Sequence, residues 1–92
     1  MSSWTFITNH GAVLAIIGRH DRITARKIAA ELGITERSVL RIIKDLETEG
    51  YIRKQRIGRS NQYEVNREAP LRRREGRDVV IGELLKVLGD KL

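Results

Sequence analysis

The sequence predicts a mainly α fold carrying one small β-hairpin, an α+β arrangement. Three observations carry that expectation. Apolar residues recur at i, i+3, i+4 and i+7 in two stretches, Val39/Ile42/Ile43/Leu46 and Ile81/Leu84/Leu85/Leu88, the buried stripe of an amphipathic helix. Glycines stand just past two apolar-periodic stretches, at Gly33 and Gly50, where helices commonly stop. A turn signal, Gly58-Arg59-Ser60-Asn61, separates two short runs with strand character, 51–57 and 62–66.

Taken in order, Thr8 and Asn9 can cap a first helix reaching about Arg19. Its apolar set, Ala12 to Ile17, exceeds a single stripe, so the helix is buried on more than one side. His20-Asp21-Arg22 breaks the pattern, and Ile23 suits a very short strand. Thr24 is a good N-cap for a second helix, Ala25–Leu32. Gly33 ends it, and Thr35 caps a third helix over about 36–49. Ile52 faces inward from the first strand, while Tyr63 and Val65 share a face of the second. Arg67-Glu68-Ala69-Pro70 is a connector. A fourth helix is expected from about Leu71 or Arg72 to Leu88, with Val79, Val80 and Val87 widening its apolar face.

Ninety-two residues suit one compact unit, divided here into a domain over 1–70 and a C-terminal helix over 71–92. Cysteine is absent, which excludes disulfides, cysteine catalysis and thiolate metal sites. His10 and His20 have no partner at metal-ligand spacing. No nucleophile–base pattern, phosphate-cradling glycine loop or carboxylate pair points to catalysis. The expectation is a protein that is not an enzyme and needs no metal or cofactor. No apolar run reaches membrane-span length and no leader pattern opens the chain. A cytoplasmic, nucleoid-associated location follows, without a membrane partner.

The formal charge is +6, from 18 Lys+Arg against 12 Asp+Glu, and its placement is uneven. Residues 51–77 hold nine basic and three acidic side chains, a net +6, against +1 over 1–50 and −1 over 78–92. A charge run can be a solvated face. Here it spans a hairpin and suits a polyanion.

The second and third helices, joined by Gly33-Ile34 with Thr35 as cap, have the layout of a helix-turn-helix. Residues 24–65, TARKIAAELGITERSVLRIIKDLETEGYIRKQRIGRSNQYEV, resemble a winged helix-turn-helix domain of the bacterial and archaeal MarR/ArsR-like transcription regulators. LGITERSVLRIIKDLETEGYI is the most specific phrase. The resemblance implies a DNA-reading third helix, a hairpin wing and a dimer.

The residues lead to the same place. With the apolar stripe buried, the third helix exposes Glu36, Arg37, Leu40, Arg41 and Lys44. Arg37, Arg41 and Lys44 form one basic line at i, i+4 and i+7, able to meet guanine O6 and N7 in a major groove. Pairing of Arg41 with Asp45, or Arg37 with Glu36, is the alternative. Thr35 and Ser38 sit where a helix N-terminus favours phosphate, though capping explains Thr35 equally well. Glu36 can accept from cytosine N4 or complement the helix dipole. Leu40 either touches a thymine methyl or marks a helix rotated from this placement. Arg53, Lys54, Arg56, Arg59, Ser60 and Asn61 surround the wing turn and can reach phosphates or the minor groove. Arg26 and Lys27 can grip the flanking backbone. Arg72, Arg73, Arg74 and Arg77 pair locally or reach phosphate from a dimer centre.

The broad apolar face of the fourth helix predicts a two-fold homodimer. Its interface is placed on Trp4, Phe6, Ile7, Val13, Ile16, Ile17, Val80, Ile81, Leu84, Leu85, Val87 and Leu88. Folding back on its own domain is the alternative. The functional expectation is a sequence-specific double-stranded DNA-binding transcription regulator. A non-specific chromatin or RNA binder and a protein-docking winged helix are the rival classes. Against the former stands the lack of an aromatic stacking platform, aromatics being 4% of the chain. Any small-molecule effector would have to bind between the first helix and the dimer helix.

Overall fold

The computed structural model of the chain describes residues 7–20, 22–70 and 80–88. Helix α1 (Asn9–Arg19) is capped by Thr8, whose Oγ1 accepts from the Gly11 N–H at 3.2 Å. Val13 through Ile17 are all buried. Five consecutive buried residues require neighbours on every side, and α1 indeed packs on the helices and the hairpin strand described below. It is the central rod of the fold.

Helix α2 (Ala25–Leu32) starts at Thr24, whose hydroxyl oxygen accepts from the Lys27 N–H. It ends where Gly33 turns left-handed at φ 69°, a conformation that penalises any Cβ. The Ala29 carbonyl then accepts from both Gly33 and Ile34 N–H, closing the helix end. Helix α3 (Glu36–Thr48) begins at Thr35, whose Oγ1 accepts from the Ser38 N–H at 3.0 Å. Val39, Ile42, Ile43 and Leu46 are its buried residues, the same four that the periodicity selects. Thr35→Ala should lower stability by about 1 kcal/mol through the lost cap, read as a lower denaturation midpoint at unchanged slope.

Strands β1 (Ile52–Ile57) and β2 (Ser60–Val65) form an antiparallel hairpin running from Ile52↔Val65 to Ile57↔Ser60. The turn is therefore Gly58-Arg59, shorter than the expected Gly58–Asn61, and β2 starts at Ser60 rather than Gln62. Gly58 has φ 61°, and no residue other than glycine has positive φ among those described. Positive φ at the first central position alone is the requirement of a type II′ turn, so Ser60 and Asn61 are free to pair. Ile23 joins the sheet by a single bridge to Tyr63. Ile52 and Tyr63 are buried against the helices.

The C-terminal helix needs the largest correction. Helix α4 spans Ile81–Leu88, not 71 or 72 to 88. Val80 is in an isolated antiparallel bridge with Pro70, so its backbone is extended and the helix starts after it. Residues 71–79, including Arg72, Arg73, Arg74 and Arg77, lie outside the described residues. Ile81 N–H donates to Ala69 O and Gly82 N–H to Arg67 O, pinning the start of α4 beside the end of the hairpin. A Cβ on Gly82 would stand 3.0 Å from that Arg67 oxygen. Helix α4 then folds back on α1: Ile81 and Leu85 are buried, and Leu85 lies over Gly18. Arg67 reinforces this corner by donating from Nη2 to Gly18 O at 2.8 Å.

Candidate nucleic-acid interface

The third helix exposes the face the pattern assigns to it. Glu36, Arg37, Ser38, Leu40, Arg41 and Lys44 are all exposed. The Asp45 carboxylate, i+4 from Arg41, is held elsewhere: Oδ2 lies 2.8 Å from His10 Nε2 on α1. Among the described residues, no carboxylate pairs with Arg26, Arg37, Arg41, Lys44, Lys54, Arg56 or Arg59. Their charges are available to an outside anion. Arg53 differs. It pairs with Glu64 directly across the hairpin, which offsets its charge and makes it a cross-strand support.

A notch of about 270 Å³ gathers residues from three elements. Thr24 and Arg26 line it from the start of α2, Glu36 and Leu40 from α3, and Arg59, Ser60 and Asn61 from the wing, with Tyr63 also in its wall. Leu40 is 44% exposed there, so it is a surface residue between helix and wing rather than a misplaced core residue. Lys54 and Arg56 stand opposite Tyr63 and Asn61 in the register, hence on the same hairpin face. Burial raises the Tyr63 phenol pKa, with Glu47 and Glu36 adding to the rise, so the ring is a neutral support at ordinary pH. The hydroxyls of Thr35 and Ser38 are engaged with each other and with the cap, which gives Thr35 a structural task whatever else it touches.

A larger cleft, about 500 Å³, opens at the other end of α3, lined by His10, Lys44, Asp45, Glu49 and Tyr51 among others. Its volume does not make it the nucleic-acid face, because two carboxylates at a helix C-terminus repel phosphate. Thr24 and Tyr63, both read from the sequence as structural, contribute to the notch. Sequence reasoning missed Ile57. It is exposed at the wing tip, and its signal is an apolar residue in a run of polar ones.

The residues placed at a dimer interface divide in three. Val13, Ile16, Ile17, Ile81 and Leu85 are buried in the chain's own core, because α4 folds back on α1. They have no surface to offer a second copy in this arrangement. Leu84, Leu88, Val80 and Ile7 are half-buried, and Val87 is 78% exposed. Trp4 and Phe6 lie outside the described residues.

Two packed helices joined by a tight turn, an exposed basic face on the second, and a basic hairpin beside it define a winged helix-turn-helix. The chain belongs to that family: residues 8–53 match the family model described as winged helix-turn-helix DNA-binding. It is 34% identical over 67 residues to an uncharacterised protein of Methanocaldococcus jannaschii, MJ1254. That alignment takes in 72% of this chain and 14% of the relative, so the chain spans a small part of the relative's length. The fold is similar to that of ZitR from Lactococcus lactis, solved as a cysteine-to-serine mutant, with TM-score 0.57 at 21% identity, over 72% of this chain and 47% of that one. No helix among the described residues is long and apolar enough to cross a membrane.

Proposed function

We propose that this chain is a sequence-specific regulator of transcription that binds double-stranded DNA as a homodimer. In this reading α3 enters the major groove, and the wing lies on the adjacent backbone and minor groove. The observation that carries it is the notch joining Arg26, Leu40 and Arg59 from three elements, beside Arg37, Arg41 and Lys44, which no carboxylate among the described residues pairs. One surface thus presents base-reading and phosphate-holding groups together. The likeness to MarR/ArsR-like regulators supports the regulatory role. Among the described residues, Leu84, Val87 and Leu88, at i, i+3 and i+4 along α4, together with Val80 and Ile7, are the part of the proposed interface still at least partly at the surface.

The experiment is selection from a random duplex pool at low and high salt, with solution mass followed alongside. A dimer that enriches a palindrome, with half-sites about one helical turn apart, is the expected result. Equal binding to every duplex would make the protein architectural. A dimer without affinity for DNA at low salt would make it a protein-docking module. Within the same assay, Arg59→Ala should weaken all sequences alike. It should also reduce the slope of log affinity against log salt by roughly 0.9, one phosphate's worth.

A further inference from the structure

We propose that the wing tip carries an apolar wedge, Ile57, which enters the minor groove and opens a base step beside the site read by α3. This rests on the DNA-binding reading above and adds a deformation of the DNA to it. Three large apolar side chains are exposed among the described residues: Leu40, Val87 and Ile57, the last at 39%. Leu40 belongs to the notch and Val87 to α4. Ile57 has neither setting.

Strand β1 is apolar at its two ends and polar between them, Ile52-Arg-Lys-Gln-Arg-Ile57. Ile52 is buried at 3% exposure and anchors the wing. Ile57 forms the last rung of the ladder with Ser60, and the chain beyond is the two-residue turn. A hairpin edge meant only for solvent is better served by Lys, whose charge discourages unwanted pairing. Here the apolar side chain lies between Arg56 and Arg59 in the chain, neither neutralised by a carboxylate among the described residues. Guanidinium groups near the tip can hold the phosphates on either side of a minor groove. An aliphatic side chain delivered at the same tip matches the wedges that unstack base steps and kink a duplex by about 20–90°.

Such a wedge selects by deformability. Pyrimidine–purine steps such as TA unstack easily and A-tracts resist. The protein should therefore prefer TA at a position where no side chain reads a base edge.

The test uses the full chain as wild type, Ile57→Thr and Ile57→Leu. Threonine keeps the β-branch and strand preference while removing the apolar end, so folding is preserved. The probe is the duplex enriched from the random pool, labelled at both ends for energy transfer. It is made with TA and with AA at the step the wing protects from hydroxyl-radical cleavage. Wild type should bring the duplex ends together and favour TA. Ile57→Thr should abolish the bend, lose roughly tenfold in affinity for the TA duplex and erase the TA preference. Ile57→Leu should retain all three. If Ile57→Thr binds both duplexes within about twofold of wild type with the same energy transfer, the exposed isoleucine is an ordinary surface residue and the wedge is wrong. In that case loss of affinity in Arg59→Ala still upholds the DNA-binding reading. If wild type binds no duplex at low salt, that reading falls and the wedge falls with it.

Discussion

Ile17→Ala is expected to remove about 2–5 kcal/mol of folding free energy. A domain of this length has roughly 5–14 kcal/mol in total, so the variant loses a large fraction of its stability and at least about 10 °C in Tm. Ile17 is fully buried in the middle of the core, on the helix that the other packed layers lean on. Truncation leaves a cavity that α1 cannot collapse, because α2, α3, β2 and α4 hold it from different sides. The measurement is denaturant unfolding at protein concentrations spread over two decades. A core residue gives the same loss at every concentration. A residue whose burial came from a second copy would instead give a loss that is small where the protein is monomeric and grows with concentration as the dimer forms, and that outcome would return Ile17 to an interface. Val87→Ser on the exposed face of α4 is the control, expected to change monomer stability by less than about 0.5 kcal/mol.

Why the helix-turn-helix is legible in the sequence and the extent of the C-terminal helix is not follows from the range of the signals. Thr8, Thr24 and Thr35 each cap a helix within three residues of themselves, and the stripe of α3 repeats within two turns. Local signals of that kind survive in a single sequence. The fourth stripe begins at Ile81; nothing N-terminal to Val79 repeats it, and a longer helix extends the pattern beyond its last member. The bridge between Val80 and Pro70 that stops it is a non-local contact. The apolar surplus of α1 poses a different problem. Periodicity tells how many faces of a helix are apolar, not how many neighbours the same chain will supply. A partner is one way to cover that surplus; α4 of the same chain covers it here. At the interface, the basic line is visible in the sequence, but its availability is not. Asp45 is one helical turn from Arg41 in the sequence, and only the approach of His10 from α1, 35 positions away, shows where that carboxylate goes. The wing turn looks longer in the sequence than it is because Ser60 and Asn61 are turn-forming residue types, though Gly58 alone meets the backbone requirement.

Arg41→Ala should then produce the largest change in DNA recognition. Arg41 stands at the middle of the exposed line on α3, one turn from Arg37 and adjacent in sequence to Leu40 in the notch. A guanidinium bidentate to guanine O6 and N7 discriminates against other bases by about 1–3 kcal/mol. The expected loss is therefore roughly tenfold to a hundredfold on the enriched palindrome. On random duplex the loss should be no more than the few-fold effect of one removed charge. The ratio of the two is what separates reading from holding, since Arg59→Ala should lower both together. Lysine at position 41 provides a second check. It keeps the charge but gives up the planar fork, so Arg41→Lys should restore random-duplex affinity while leaving the palindrome weakened. Equal losses on both DNAs from Arg41→Ala would assign this side chain to phosphate and move base reading to its neighbours Arg37 and Lys44. Stability needs to be read in parallel and should be unchanged. Arg41 is exposed and makes no ion pair with the described residues, and the His10–Asp45 contact that keeps its i+4 carboxylate occupied does not pass through it.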